Sequence, residues 1–298
     1  MSIAAVVVGD VMTDILARLA GPVRRGTDQQ AEIVTLPGGG GANQATWLAA
    51  CGVRVGLAAR VAAADRDAIA AALAAAGVTP HLAADAQAPT GALICLVEPD
   101  GERSFLSSRG ANARLAPDDL PESLLEGAGL LHVSGYALLE PGSRAAATRL
   151  MAVARERGLV VSVDPGSAGF LADLGPSVFL GAVCDADVIF PNRDEAERLT
   201  GEHATEAQLD ALLRHVPMVV LKQGSAGAIA ATRQGERITR PAVAARVVDT
   251  TGAGDAFFAG FMANWLGARD LGAALEAGNR VAAMAVARLG AQPQNNGR

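Results

Sequence analysis

Residues 249–262 read Asp-Thr-Thr-Gly-Ala-Gly-Asp-Ala-Phe-Phe-Ala-Gly-Phe-Met. Gly252 and Gly254 come before an apolar run that predicts a helix over about 254–267. Glycine lets successive backbone N–H groups turn toward one point, and the N-terminus of a helix attracts negative charge. Asp255 would lie in the first turn of that helix, where a carboxylate can accept a proton from a hydroxyl group. An aspartate that only caps the helix would give the same short pattern.

A second glycine-rich stretch lies about 200 residues earlier and reads Pro37-Gly-Gly-Gly-Gly-Ala-Asn-Gln-Ala45. Glycines there allow the backbone to approach a ligand, and Asn43 offers both a donor and an acceptor to a hydroxyl group. A glycine-rich turn before a helix over 42–51 is the structural alternative. The stretch is not a P-loop, because the only lysine of the chain, Lys222, follows Leu221 rather than a glycine.

The remaining sequence alternates between strand and helix patterns. Short apolar runs predict strands at 4–8, 53–61, 130–133, 160–163, 188–190 and 218–221, with further short strands within 229–248. Helical patterns occupy about 67–76, 143–157, 194–200, 205–214 and 271–288. Because this βαβα order builds parallel sheets with helices on both faces, the sequence predicts an α/β fold.

Two segments do not follow that alternation. Residues 91–106 contain two β-rich runs around the turn Pro99-Asp-Gly-Glu102, which predicts a hairpin. Residues 11–36 are mixed in character and do not resemble a core helix. We expect both segments to form a small sheet apart from the main body, within a single domain over 1–298.

Composition limits the classes of partner. The chain has 298 residues, of which 50% are hydrophobic, and its net charge is −6. A sizeable core is therefore expected, and nucleic acid and anionic membranes are poor partner candidates. The three cysteines form no CxxC pair, which argues against a disulfide framework and a zinc site. Without a basic leader or an apolar run of about 18 residues, we expect no signal peptide, no membrane partner and a cytoplasmic protein.

The two glycine-rich stretches resemble the signatures of a known family. Residues 249–262 resemble the C-terminal signature of the ribokinase/phosphofructokinase-B family of carbohydrate kinases, and residues 37–45, followed by Gly52, resemble its N-terminal signature. The resemblance extends over nearly the whole chain, although residues 60–65 replace a glycine turn that is usual in the family. It implies a central, mostly parallel sheet flanked by helices, with a small β-sheet lid formed by about 11–36 and 90–109.

The resemblance also implies an activity. Members transfer the γ-phosphate of ATP, bound with Mg²⁺, to a sugar hydroxyl, and Asp255 matches their catalytic base. The backbone of Gly252, Ala253 and Gly254 matches their anion hole. A nucleoside kinase with the same machinery and a non-catalytic sugar or nucleotide sensor are the alternatives. A homodimer through the lid sheet is also expected, because exposed strand edges invite pairing.

On the sugar side, the resemblance assigns the floor of the pocket to Asp14, Gly40, Gly41 and Asn43. Arg103 and Arg109 could grip a carboxylate or a phosphate, although Arg103 is equally a common hairpin residue. Gly40 and Ser134-Gly135 stand where ribokinases carry a lysine and an acid, and residues 132–135 resemble kinases of ketoses and 2-keto-3-deoxy sugar acids. An aromatic content of 3% argues mildly against a nucleoside. The sequence therefore does not determine which sugar is the substrate.

On the other side, the resemblance implies a nucleotide site and two metal sites. The nucleotide candidates are Asn192, Lys222, Gly224, Gly227, Gly254 and Asn279. Glu195 would organise Mg²⁺ through water, and a K⁺ site would involve Asp249, Thr251, Ala285, Arg288 and Gly290. In the structural alternatives, Lys222 ends a strand, Asn279 faces solvent, and the acids after Asn192 begin a helix.

Overall fold

The computed structural model describes residues 4–99 and 102–293. The strands are β1 (Ala4–Val8), β2 (Met12–Leu19), β3 (Ala31–Gly38), β4 (Arg54–Ala62), β5 (Val78–Asp85), β6 (Gly91–Val97), β7 (Arg103–Ser108), β8 (Leu130–Ser134), β9 (Val160–Asp164), β10 (Val188–Ile189), β11 (Met218–Lys222), β12 (Ala228–Thr232) and β13 (Arg237–Arg240). The helices are α1 (Gly40–Ala50), α2 (Arg66–Ala75), α3 (Pro141–Glu156), α4 (Ala168–Leu174), α5 (Pro176–Ala182), α6 (Arg193–Thr200), α7 (Thr205–Leu212), α8 (Ala253–Ala268) and α9 (Leu271–Val286).

A nine-stranded sheet forms the centre of the described chain, in the order β13-β12-β11-β10-β9-β8-β1-β4-β5. Every neighbouring pair from β11 to β5 is parallel, and only β12 and β13 pair in the antiparallel direction. The predicted α/β class is therefore confirmed.

Helices cover both faces of this sheet because its strands are apolar on both sides. In β1, Val7 packs into one buried cluster with Trp47 of α1 and Phe261 of α8. Val6 and Val8 point the other way, into a second cluster with residues of α3 and α5 such as Met151 and Phe179. Since successive side chains of a strand alternate between faces, the short run Ala4–Val8 joins two cores.

A second, four-stranded sheet has the order β3-β2-β6-β7. The pairs β2–β3 and β6–β7 are antiparallel, while β2 and β6 are parallel. The predicted small sheet and the 91–106 hairpin are thus present, although residues 100–101 of its turn lie outside the described part. Whether this sheet acts as a lid, and whether 1–298 is one domain, stay predictions.

Some elements were not predicted. Strand β5 contains Pro80 and lacks a continuous apolar run, and it forms one edge of the large sheet, where a residue without an N–H is tolerated. Helices α4 and α5 are short and meet at Gly175, whose φ of 91° separates them. The strands expected within 229–248 end at β13, and residues 241–248 form no strand. The described helices include none with the length and hydropathy needed to cross a bilayer.

Candidate active site

A cavity of about 1000 Å³ lies at the carboxyl ends of the parallel strands and under one face of the small sheet. Asp10, which follows β1, and Asp164 and Lys222, which end β9 and β11, contribute to its wall. Asp14 of β2 and Phe105 of β7 line it from the small sheet. Ligands of open α/β sheets bind at this edge, so the cavity is the candidate active site.

Asp255 lies in the first turn of α8, at the border of this cavity. Gly252 precedes the helix with φ 75°, and a Cβ added there would lie 2.5 Å from the carbonyl oxygen of Ala291. Only glycine therefore fits this turn without strain. The N–H of Ala253 donates to the carbonyl of Thr250 at 3.3 Å. The N–H groups of Gly254 and Asp255 belong to the turn whose donors have no acceptor within the helix.

The two glycine-rich motifs meet at this point. The side-chain amide of Asn43, in α1, donates to Oδ2 of Asp255 at 3.2 Å. Gly41 in the same motif packs against the backbone of Gly9, so closely that an added Cβ would lie 2.6 Å from the Gly9 Cα. The N–H of Gly41 donates to Oδ1 of Asp10 at 3.1 Å. Gly40 lines the cavity beside these groups.

The surroundings of Asp255 make it a weaker acid than an ordinary aspartate. Burial and the negative charge of Asp164 raise its pKa to about 8, against the opposing effects of Lys222 and the Asn43 hydrogen bond. A carboxylate with a raised pKa holds a proton more readily, as a general base near neutral pH requires.

Asp14 provides a second carboxylate on the small-sheet side. Burial raises its pKa to about 6, and Asp10 adds to the shift. Its Oδ1 atom is buried and has no hydrogen-bond partner among the described residues, and the same holds for Oδ1 of Asn43. Both residues line the cavity, so these oxygens are free to accept hydrogen bonds from a hydroxylated ligand.

Arg103 and Arg109 also line the cavity, but each guanidinium is already paired. Arg109 donates to Asp10 Oδ2 at 3.2 Å and to the carbonyl of Tyr136 at 3.0 Å, and it lies 5.2 Å from the Tyr136 ring centroid. Arg103 donates to Asp249 Oδ1 at 2.9 Å. A bound anion would therefore have to compete with protein carboxylates for either arginine.

The opposite end of the cavity holds a buried charge cluster. Lys222 donates to Asp164 Oδ2 at 2.6 Å, and its ammonium lies 3.1 Å from where a Cβ of Gly254 would be. Burial lowers the pKa of Lys222, but Asp164 and Glu195 outweigh that effect and raise it above its ordinary value. The ammonium thus stays charged beside the first turn of α8.

Asn192 and Glu195 form a capping box at the start of α6. The Glu195 N–H donates to Oδ1 of Asn192 at 2.9 Å, and the Asn192 N–H donates to Oε2 of Glu195 at 2.8 Å. Burial raises the pKa of Glu195 to about 7, against the opposing charge of Lys222. Both residues line the cavity, so the box fixes a carboxylate on its wall.

The donor set near Lys222 fits a magnesium ion that arrives with a nucleotide. Among the described residues, no cluster of three acidic, histidine or cysteine side chains could enclose a metal by itself. Asp164 and Glu195 nevertheless place two carboxylates on the same wall. Mg²⁺ bound with phosphates commonly uses one or two carboxylates and several waters, which this wall can provide.

Three predicted nucleotide residues do not line this cavity. Gly224 and Gly227 bound the short turn between β11 and β12, with φ 59° and 97°. Asn279 donates to the carbonyl groups of Arg240 and Pro241 at 3.2 and 2.9 Å and is 6% exposed. The alternative of a solvent-facing Asn279 is therefore wrong, since its amide ties α9 to the segment after β13. Its nucleotide contact stays a prediction.

Two residues of the expected K⁺ site, Thr251 and Gly290, contact Asp249. Thr251 donates its N–H and its hydroxyl to Asp249 Oδ1 at 2.9 and 2.7 Å, and the Gly290 N–H donates to Oδ2 at 3.0 Å. The carbonyl of Ala285 accepts the Arg288 N–H at 3.1 Å. The segment after α9 is thus fixed to the segment before α8.

Several cavity residues were missed from the sequence. Asp10 and Asp164 come shortly after the predicted strands 4–8 and 160–163, so the rule that ligands bind at the carboxyl ends of parallel strands was a usable signal. Tyr136 and Phe170 also line the cavity, with ring centroids 5.6 Å apart at 85°. No sequence pattern brings these two rings together, because they lie on different elements.

This fold and cavity define a class of α/β protein with a ligand-sized cavity at the carboxyl ends of its parallel strands, and comparison with known proteins gives its family. The model described as pfkB family carbohydrate kinase matches residues 3–296. The chain therefore belongs to the pfkB family of carbohydrate kinases, whose members are phosphotransferases with an alcohol group as acceptor. The family resemblance seen in the sequence is confirmed.

Two relatives and two solved structures illustrate the similarity. An ATP-dependent ribose-1-phosphate kinase of Halopiger xanaduensis is 35% identical over 66% of this chain, and the match spans only 62% of that relative's length. An uncharacterized sugar kinase of Archaeoglobus fulgidus is 30% identical over 72% of this chain and 84% of its own. A probable sugar kinase of Rhizobium etli has a TM-score of 0.88 at 24% identity, covering 98% of this chain and 96% of its own. The ribokinase of Arabidopsis thaliana, complexed with ribose and ATP, has a TM-score of 0.81 at 26% identity, covering 98% and 95%.

Proposed function

We propose that this protein is an ATP-dependent sugar kinase that transfers the γ-phosphate of ATP to a sugar hydroxyl, with Asp255 as the general base. One observation carries the proposal: Asp255, at the N-terminus of α8, accepts a hydrogen bond from Asn43 of the other glycine-rich motif. A proton acceptor, an anion-binding helix end and a hydroxyl-binding amide therefore share one corner of the cavity.

In the proposed reaction, the acceptor hydroxyl gives its proton to Asp255 as its oxygen bonds to the γ-phosphorus, and ADP leaves. The N–H groups at the start of α8 and the ammonium of Lys222 stabilise the charge on the transferring phosphoryl group. Asp164 and Glu195 would hold Mg²⁺ through water. Bound with ATP, the ion would supply neutralising charge to the phosphates.

The sugar side of the cavity favours hydroxyl recognition. Asp14 and Asn43 present oxygens without partners among the described residues, and both can accept hydrogen bonds from a diol. Arg103 and Arg109, the candidates for binding a carboxylate or phosphate, are paired with Asp249 and Asp10, respectively. An uncharged pentose or hexose is therefore favoured over a sugar acid, which would need to displace one of these carboxylates.

A nucleoside kinase is the second candidate, and the aromatic residues of the cavity favour it. Although the chain is poor in aromatic residues, Phe105, Tyr136 and Phe170 all line this one cavity. A base can stack on such rings. The third candidate, a non-catalytic sensor, is disfavoured because Gly252, Gly254 and Asp255 are all present and the chain belongs to a family of kinases.

The test is a coupled ADP-release screen over pentoses, hexoses, sugar phosphates, sugar acids and nucleosides. One class of acceptor should raise ADP release, and the product should carry one phosphate by mass spectrometry. Asp255→Asn should lower kcat by about 10³-fold or more, because general bases contribute about 10²–10⁴ and Asn cannot take the proton. Rates in this variant close to wild type would overturn the assignment of the base.

The thermal stability of the same variant shows whether it is folded. The folded state raises the pKa of Asp255 from 3.8 to about 8, so its ionisation lowers the stability progressively between these two pH values, and the full cost is present above about pH 8. Asn removes that cost and can keep the contact with Asn43. Asp255→Asn should therefore unfold at a temperature equal to or higher than wild type at alkaline pH, which separates loss of the base from loss of the fold.

We also infer a homodimer formed through the outward face of the small sheet, and a cytoplasmic setting. By the strand register, Ile33 and Ile94 share the face opposite Asp14, and they are 64% and 37% exposed. An apolar patch of this kind is typical of a surface that a partner covers. All three cysteines are unpaired, which agrees with a reducing compartment.

A further inference from the structure

The carboxylate of Asp249 is only 5% exposed, and hydrogen-bond donors surround it. Oδ1 accepts from the N–H and hydroxyl of Thr251, and Oδ2 accepts from the N–H of Gly290. A metal cation needs lone pairs directed toward one point, whereas these donors direct hydrogens toward the carboxylate. The arrangement therefore fits a monovalent metal ion poorly.

A positive charge is nevertheless present at this place. Nη1 of Arg103 lies 2.9 Å from Asp249 Oδ1 and 3.0 Å from Thr251 Oγ1. Its side chain is 25% exposed and that of Asp249 is 7% exposed, so water screens the pair only partly. Arg103 begins β7, in the small sheet, and is 146 residues away from Asp249 in sequence.

We propose that the guanidinium of Arg103 is a fixed cation that takes the place of a dissociable monovalent metal ion and positions the anion-binding turn of α8. This inference rests on the proposed kinase function. Thr251 directly precedes Gly252, whose left-handed conformation starts the helix, and Asp249 lies three residues before Gly252, so a charge held at Asp249 fixes the backbone that would face the transferring phosphate.

The charge state of the pair suits this role. Oδ1 of Asp249 accepts hydrogen bonds from Arg103 and from the N–H and hydroxyl of Thr251, and Oδ2 accepts one from Gly290, an arrangement that favours the ionised carboxylate. A guanidinium stays protonated at any physiological pH. Both partners are therefore charged during catalysis, and the turn needs no ion from solution.

The position of Arg103 also links the small sheet to the chemistry. Its backbone pairs with Val97 of β6, in the sheet that lines the sugar side, while its head group contacts the segment before α8. When the small sheet lies over the cavity, Arg103 completes the surroundings of the turn. Arg103 is thus a positioning residue, and its loss should lower kcat more than it changes the KM for the sugar.

The first arm of the test measures phosphorylation rates at equal ionic strength in KCl, NaCl or tetramethylammonium chloride. Wild type should give the same rate in all three, within about twofold. Arg103→Met keeps the length of the stem and removes the charge. Its kcat should fall about 10–100-fold in tetramethylammonium, as expected for a misplaced catalytic turn, and K⁺ or methylguanidinium should restore part of it.

The second arm needs no substrate. Thermal unfolding of wild type should be the same in K⁺ and in tetramethylammonium, whereas Arg103→Met should be stabilised by K⁺, because an ion that binds only the folded state raises the unfolding temperature. Arg18→Met is the matched control: Arg18 lies in the same sheet, 46% exposed beside Glu32, and its removal should create no K⁺ dependence.

Three results would overturn the proposal: activation or stabilisation of wild type by K⁺, a wild-type rate in Arg103→Met, or a loss in that variant that no added cation restores. If no acceptor is phosphorylated under any condition, the proposed function fails. The thermal arm still decides whether Arg103 stands in for an ion.

Discussion

The two sheets border the same cavity, but they are covered to different degrees. All five residues of β8 are buried, as are the first four of β11, whereas in β7 only Arg103 is partly buried and the five residues after it are exposed. A strand covered on both faces holds its terminal side chain in place, while a strand with one open face can move with its sheet. We infer that the large sheet and α8 supply the groups aligned for chemistry, and the small sheet supplies groups that hold and enclose the substrate.

The largest effect expected from this contrast concerns protonation on the fixed side. Burial and Asp164 raise the pKa of Asp255 to about 8, so below pH 8 the free enzyme holds this carboxyl mostly protonated. A protonated carboxyl cannot accept the hydroxyl proton, and kcat/KM should fall about tenfold for each pH unit below 8, or about 100-fold by pH 6. Initial rates across mildly acid to alkaline buffers measure this limb.

Two other acidic residues also affect the pH dependence of kcat/KM, and a variant of one of them is the control. The pKa values of Glu195 and Asp14, raised to about 7 and about 6, should steepen the acid limb below each of these pH values, so the total loss at pH 6 should exceed the 100-fold expected from Asp255 alone. Asp14→Asn should remove the lowest of these steps and keep the step near pH 8. A profile that is flat between pH 6 and 8 would contradict the assignment of Asp255 as base.

A smaller effect on kinetics is expected from a substitution in the small sheet. Asp14→Asn keeps the shape of the side chain but removes the charge that, in the proposed function, would accept hydrogen bonds from sugar hydroxyls. A hydrogen bond to a charged group is worth about 1.5–3 kcal/mol, so the KM for the sugar should rise about tenfold or more, while the KM for ATP stays the same. Asp28→Asn, at an exposed position between β2 and β3, is the control. An unchanged sugar KM in Asp14→Asn would remove Asp14 from the sugar site.

The smallest effect on turnover is expected from the outward face of the small sheet. Ile33→Lys places a charge on the exposed apolar patch, away from the cavity. Charge repulsion across a two-fold contact should convert the dimer into a monomer in light scattering, with kcat changed by less than about twofold. A monomeric mass for wild type would refute the dimer itself.

Much of the fold could be predicted because its signals are local. The alternation of apolar runs and helical patterns predicted the parallel sheet, and the hairpin pattern at 91–106 predicted two strands of the small sheet. Strand β5 was not predicted because Pro80 breaks the expected strand pattern. Its position at the edge of the sheet tolerates a residue without a backbone N–H donor.

The candidate site likewise has features that local sequence predicts and features that only the tertiary structure reveals. Sequence alone identified Asp255 and Asn43, since glycines at fixed spacing mark turns that no other residue fits, and this requirement is local. That their side chains lie 3.2 Å apart across 212 residues was decided by the way α1 and α8 pack. From the sequence, Arg103 could be interpreted either as a hairpin residue or as a substrate ligand. Neither interpretation predicted its contact with Asp249.

The sequence by itself therefore determined the fold class, the small sheet and the two motifs, because hydrophobic periodicity and glycine geometry act over a few residues. Only the tertiary structure decided which charges meet: Lys222 with Asp164, Arg109 with Asp10 and Arg103 with Asp249. The physical reason is that an ion pair depends on the distance between side-chain ends, which the packing of sheets and helices sets and no local pattern encodes.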